Sequence, residues 1–262
     1  MKFGRRRPTY GPMFRLKNYL LRGVPAPPRS ITYTPKASLA LSQMYGNDTV
    51  GDCTCAGVGH IEGVLTANAG DEFIYTPAEM IAFYSAVSGY IPGDEATDNG
   101  ADEVTVLNRW LNKGFPPGQH HPAGWLWLDA TEPMEYRLAL YWFENLYFGL
   151  ELPAAWVTPF PSSNGFVWDV AGAPDPDNGH SVMGCSYSPY GPPKNGVGIC
   201  SWGLLGLMTD RAIAEYCVPS AGGALYTIVS QDAINKLSQQ APNGFNLQQL
   251  LADFKSMGGR VV

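Results

Sequence analysis

Cys53 stands where a Gly51-Asp52 pair gives way to a stretch with helical spacing, so its thiol falls at the start of a helix. The free N–H groups of a first turn and the helix dipole favour the anion, which makes such a cysteine a candidate nucleophile. A thiolate nucleophile needs a base or an imidazolium beside it. His180 is the best-placed candidate, because it follows Gly179 and opens a run of small and apolar residues, His-Ser-Val-Met-Gly-Cys-Ser-Tyr. Each residue also has a structural reading, as a small core thiol and as a satisfied histidine. Other groupings carry less. The pair His120-His121 reads as incidental to its loop. Cys53, Cys55 and His60 do not make a metal site, since on a helix Cys55 points away from the other two. The acids Asp94, Glu95, Asp98, Asp102 and Glu103 lack the spacing of an EF-hand loop and read as a solvated face. There is no P-loop, no dinucleotide fingerprint and no Gly-x-Ser-x-Gly elbow, so no cofactor or metal is implied.

The elements that must position these residues follow from periodicity and caps. A helix is expected from Cys53 to about Asn68, its start rich in small residues (Cys55, Ala56, Gly57, Gly59) that permit close packing. Thr76-Pro77-Ala78-Glu79 is a capping box with proline in the first turn, and its helix runs to about Ser88 with Met80, Phe83, Tyr84 and Val87 inward. Val104, Leu107, Trp110 and Leu111 form a third helical stripe. Met134–Glu144 reads as helix and Tyr147–Leu152 as strand. Ser181–Tyr187 and Gly196–Trp202 read as strands joined by a Pro/Gly turn. Residues 158–179 read as loop. Thr209–Tyr216 is a short helix, Ala224–Val229 a strand, and two final helices are capped by Ser230 and Asn246. Helices early and strands late predict an α+β fold with the two classes segregated.

Composition bounds the setting. The chain has 262 residues, of which 45% are hydrophobic, enough for a sizeable core. Only 15% are charged, against a usual figure of about 25%. No apolar run reaches the ~18 residues of a membrane span, and the basic N-terminus lacks the apolar segment of a secretory signal. Five cysteines, at 53, 55, 185, 200 and 217, have no disulfide-scaffold spacing, which predicts free thiols in a reducing cytoplasmic or virion setting. The net charge of −6 hides an asymmetry. Residues 1–36 hold nine basic residues (Lys2, Arg5, Arg6, Arg7, Arg15, Lys17, Arg22, Arg29 and Lys36) and no acidic one. The rest of the chain carries all 23 Asp and Glu. Residues 1–40 therefore read as a basic, Pro-rich arm, extended apart from one short helix around Met13–Leu21. Residues 41–262 read as the body, helical to about 150 and β-rich after about 151. Three destinations suit the arm: its own acidic body, a neighbouring subunit docked through residues 1–36, and, least favoured, nucleic acid, because aromatic interleaving is thin and the body would repel phosphate.

Three islands together resemble papain-like cysteine peptidases. Asn47-Asp48-Thr49-Val50-Gly51-Asp52-Cys53 is similar to that family's nucleophile loop, with Asn47 at the position of a Gln and Gly51 two residues before the Cys. His180–Tyr187 resembles the family's histidine strand, and Ser201-Trp202-Gly203 its Asn-Ser-Trp-Gly motif. The order agrees over about residues 45–230. More narrowly, the Asn-Asp-x-x-Gly-Asp-Cys-Thr segment, Thr97-Asp98-Asn99-Gly100-Ala101 and the Gly-His-x-Val strand resemble papain-like proteins of phages and bacteria. The resemblance implies a helical part carrying the Cys helix, packed on an antiparallel β part. It implies Cys53 as nucleophile and His180 as proton carrier. The Cys53 N–H and the Asn47 amide would bind the oxyanion, Trp202 would shield the histidine, and the substrate would be a peptide or protein. The family's third residue, an Asn that orients the histidine, falls at Cys200. The orienting contact is then left to Cys200, to a backbone carbonyl, or to Asp169, Asp175 or Asp177. The alternative use of the same fold is a structural protein of a particle, docked through its basic arm.

Overall fold

The computed structural model describes residues 1–10, 14–115, 120–188, 195–240 and 242–260. The turn at 189–194 and part of the loop at 116–119 lie outside the described residues. Among the described residues, seven α-helices flank one eight-stranded sheet: α1 Cys53–Ala69, α2 Pro77–Ser88, α3 Glu103–Lys113, α4 Pro133–Phe143, α5 Asp210–Tyr216, α6 Gln231–Gln240 and α7 Leu247–Ser256. The strands are β1 Ile31–Thr32, β2 Gly124–Trp127, β3 Leu146–Glu151, β4 Phe166–Trp168, β5 Gly179–Ser188, β6 Gly196–Ser201, β7 Leu204–Thr209 and β8 Ala224–Val229. Their spatial order is β2-β8-β3-β5-β6-β7-β4, with β1 beside the end of β5. Pairing is antiparallel except between β4 and β7. The fold is α+β with a mostly antiparallel sheet.

The sheet separates two apolar cores, because successive strand residues point to opposite faces. Leu126, Phe148, Leu150, Val182, Leu225 and Val229 face a core shared with α4 to α7. Trp125, Trp127, Tyr147, Met183, Tyr226 and Ile228 face a second core shared with α1, α2 and α3. Both faces being covered, β3 and β8 are buried along their whole length, and such strands read as apolar runs rather than alternations.

The site hangs on three local devices. Helix α1 is buried at 14 of its 17 positions, and Gly57 brings it close to β3, for a Cβ there would stand 2.8 Å from the Tyr147 ring. The capping box of α2 forms as expected, Thr76 and Glu79 each holding the other's backbone N–H. Strands β6 and β7 are joined by Trp202-Gly203, both at positive φ (51° and 68°). That is the sense of turn that fits the twist of a two-residue hairpin, and the Trp202 ring stacks on His180.

Several expectations need correction. The segment 158–179 contains β4, and Leu204–Thr209 is a strand where none was expected. Strand β2 lies inside the stretch read as helical. The short helix of the arm is a single 3-10 turn, Leu16–Tyr19. The acidic stretch is not simply a solvated face. Glu103 is fully buried, Asp98 accepts from the Gly51 N–H (3.0 and 3.1 Å) and from Tyr84 Oη (2.7 Å), and Asp102 caps α3.

Of the destinations open to the arm, the structure shows the chain's own body. Lys2 N–H donates to the Asn47 carbonyl (2.9 Å), Arg6 N–H to Ala101 (2.9 Å), and Ala101 N–H returns to Gly4 (2.8 Å). Further on, Leu16 and Tyr19 are buried, Tyr19 Oη donates to Asp253 (2.6 Å), and β1 extends the sheet.

Candidate active site: a cysteine, a histidine and a strap of the same chain

Cys53 opens α1 and His180 is the second residue of β5, so a helix start and a strand start meet. Both line one small cavity of about 10 Å³, together with Asn47, Gly57, His60, Cys200, Ser201 and Trp202 among others. Cys53 and His180 are each 1% exposed. The imidazole is oriented by Ser201: its Nε2 lies 2.9 Å from Ser201 Oγ. Its plane stacks on Trp202, centroids 4.1 Å apart at 20°. His180 Nδ1 has no hydrogen-bond partner and is the ring nitrogen that Ser201 leaves unused. The tautomer that suits this carries its proton on Nε2, donates it to Ser201 and leaves Nδ1 as an acceptor.

Cys200, at the family's Asn position, does not make that contact. Its thiol points to the Leu41 carbonyl (3.2 Å). Nor do the aspartates of the preceding loop. Asp169 accepts from Thr209 and Arg211, and Asp175 caps its own turn through the N–H of Asp177. Ser201 was missed by the sequence reading. In an antiparallel strand adjacent residues face opposite ways, so once Cys200 points to Leu41 its neighbour is the one turned toward His180. Asn47 is buried on the cavity wall, its Nδ2 donating to the Val50 carbonyl (3.1 Å).

Burial sets the charges. It pushes the Cys53 thiol up to about 12, against the pull of backbone hydrogen bonding from Ser181 and Gly4. It holds His180 down to about 3. The pair is therefore neutral in this closed state.

What closes it is the strap of residues 2–10. The backbone of Gly4 lies at the Cys53 sulfur, and Phe3 meets His180 and Trp202 edge-on, with centroids 6.2 and 6.1 Å away. Gly4 and Arg5 both donate to the Gly179 carbonyl (3.3 and 3.1 Å). The channel fits only bare backbone: a Cβ on Gly4 would overlap the Gly51 carbonyl, and one on Gly100 would overlap the Gly4 carbonyl. Two ion pairs clip the strap, Arg5 to Glu103 at 2.6 Å in the interior and Arg7 to Glu151 at the rim.

The remaining histidines are structural. His60 Nδ1 bonds the Ala40 carbonyl (3.0 Å), His120 pairs with Glu62, and His121 Nδ1 lies 3.0 Å from the Leu111 carbonyl. Among the described residues, no helix is long and apolar enough to cross a membrane.

No family model matches the sequence, and a search of curated proteins finds no match. Solved structures do match the fold. Xylellain, a cysteine protease from Xylella fastidiosa, is 15% identical with a TM-score of 0.61, over 87% of this chain and 96% of that one. The ragweed cysteine protease Amb a 11 in its proform is 13% identical, TM-score 0.57, over 80% of this chain and 67% of that one. Procathepsin B S9 from Trypanosoma congolense is 12% identical, TM-score 0.53, over 79% of each. The fold is that of papain-like cysteine proteases.

Proposed function

We propose that the chain is a latent thiol hydrolase, most simply a peptidase. Cys53 is its nucleophile, His180 its proton carrier, Ser201 the residue that positions the imidazole, and Trp202 the shield over it. The observation that carries this reading is the cavity that Cys53 and His180 share, in which Nε2 of His180 is held by Ser201 while Nδ1 has no partner. With the strap withdrawn, water reaches the pair and the desolvation that keeps both neutral is relieved. The proton then passes from Cys53 to Nδ1, and the thiolate attacks an amide carbonyl. The first-turn N–H of Cys53 and the Asn47 amide stabilise the oxyanion. The imidazolium returns its proton to the leaving amine.

The test is iodoacetamide labelling of Cys53 against pH in the full chain, comparing wild type, Gly4→Ala and Gly4→Ala with His180→Ala. Gly4→Ala evicts the strap because its channel has no room for a Cβ. The expected result is slow labelling in wild type and a thiolate plateau below pH 7 in Gly4→Ala that His180→Ala abolishes. Labelling that rises only above pH 8 in all three rejects the hydrolase. That result favours the second reading, a papain-like structural protein of a phage particle. The small cavity and neutral pair suit a scaffold as well as a zymogen.

A further inference from the structure

Arg5 is an odd residue to find inside a protein. Its side chain is fully buried against Glu103, one residue after the Gly4 backbone that reaches the Cys53 thiol. Arg5 Nε donates to Glu103 Oε1 (2.6 Å) and Nη1 to the Gly222 carbonyl (2.7 Å). Ser181, next to His180, donates to the same carboxylate oxygen (2.8 Å). Glycines shape the walls: a Cβ on Gly149 would overlap Glu103 and stand 2.6 Å from Arg5 Nε. The pocket also has unused capacity. Glu103 Oε2, Arg5 Nη2 and Tyr226 Oη are buried without hydrogen-bond partners.

A carboxylate buried this completely is tolerable only with a cation against it, since removing one partner of a buried pair leaves an uncompensated charge. Arg5 supplies that cation only while the strap is in place. The strap leaves if the site is to work, and Glu103 then faces an empty pocket in the substrate cleft, one residue along from the backbone at the Cys53 sulfur.

Resting on the hydrolase reading, we propose that the Glu103 pocket is a guanidinium subsite of the cleft, held by Arg5 in the latent state and filled by an arginine side chain of a peptide substrate in the open one. The flat fork of a guanidinium reaches both the carboxylate and the Gly222 carbonyl, which lie in different directions. An ammonium is a single point and a citrulline is neutral. Glu103 is thus the specificity-determining residue, and the strap is a covalently attached mimic of the substrate side chain.

The test uses the full chain carrying Gly4→Ala to displace the strap, Arg5→Ala to empty the pocket and Cys53→Ser, so that nothing turns over and binding is read independently of whether the thiol is reactive. Calorimetry at pH 7 compares N-acetylargininamide, N-acetylcitrullinamide and N-acetyl-lysinamide. The arginine probe is expected to bind at least about tenfold tighter than the other two, and adding Glu103→Gln removes the preference. Equal binding of the three probes, binding of none, or a preference that survives Glu103→Gln overturns the subsite. If the variant does not fold alone, it is refolded with each probe in excess. Recovery with the arginine probe alone supports the proposal, and recovery with none or with all three rejects it. Failure here leaves the iodoacetamide result standing, and a failed labelling experiment leaves this binding result standing.

Discussion

His180 stays neutral because it is buried without a charged partner, and that has a thermodynamic signature. Its ordinary value near 6.5 falls to about 3 on folding. Between those values the unfolded chain binds a proton that the folded chain refuses, so stability falls as pH drops through that window. The slope is roughly 1.4 kcal/mol per pH unit. Replacing His180 with Gln removes this contribution and leaves the other titrations in place. Measured by urea unfolding, the variant is expected to gain about 2 kcal/mol on the wild type between pH 7 and pH 5. A difference that stays constant across that range means His180 is not held neutral. Ser201 carries a separate expectation. In the strap-displaced Gly4→Ala chain, Ser201→Ala should slow peptide hydrolysis roughly tenfold, the worth of one orienting hydrogen bond, with little change in KM. An equal loss in both parameters marks Ser201 as a binding residue. Cys53 and His180 were legible because a helix start and a strand start can be read from neighbouring residues. Ser201 was not, because which of two adjacent strand residues faces the histidine depends on where the neighbouring Leu41 carbonyl lies.

At the scale of elements, what could be read from sequence divides along packing. Helices α1, α2, α3 and α4 show themselves through a cap or an apolar stripe, and their observed ends fall within a residue or two of expectation. Strand β2 is buried at all four positions, β4 is only three residues long, and β7 is half-buried at four successive positions, so none of the three shows an alternation of apolar and polar faces. The loop 97–101 shows what an element-level contact does for the site. Asp98 accepts from the Gly51 N–H, two residues before Cys53, and from the Tyr84 hydroxyl of α2. Tyr84 Oη itself accepts from the Gly100 N–H at 2.8 Å. One carboxylate thus ties the loop before Cys53, α2 and the loop that binds the strap. Asp98→Ala leaves the Gly51 N–H and the Tyr84 hydroxyl without that acceptor. It should cost about 2–4 kcal/mol, since hydrogen bonds to a charged group are worth roughly 1.5–3 each and only partly add. Denaturant unfolding checks the cost, and faster labelling of Cys53 in the same variant checks the link to the strap. A loss below 1 kcal/mol with unchanged labelling removes Asp98 from that role.

Over the whole molecule, the arm does two jobs in succession. Residues 2–10 fill the cleft through bare backbone and two ion pairs, while the stretch that follows is largely exposed and anchored to the core by two residues, Leu16 and Tyr19, no more than 1% exposed. The charge asymmetry of the sequence pointed to an acidic partner. It could not show that the partner is a glycine-lined channel over Cys53, because the fit is one of backbone shape and a single buried arginine. The two jobs predict two different truncations. Deleting residues 2–9 opens the cleft to water, lets Glu103 hydrate and leaves the core intact. Deleting residues 2–36 also removes Leu16 and Tyr19, whose burial is worth about 1.5–3 kcal/mol each. The longer deletion should therefore be less stable than the shorter by about 3–6 kcal/mol, a large share of the 5–15 kcal/mol that holds a typical domain together. Urea midpoints measure the gap, and light scattering on both chains measures assembly. An arm built for a neighbouring subunit predicts the reverse pattern: the two truncations equally stable, and both shifted in oligomeric state from the full chain. A wide gap in stability with unchanged size assigns the arm to its own body, the cleft-filling stretch as a removable stopper and the stretch after it as a permanent part of the fold.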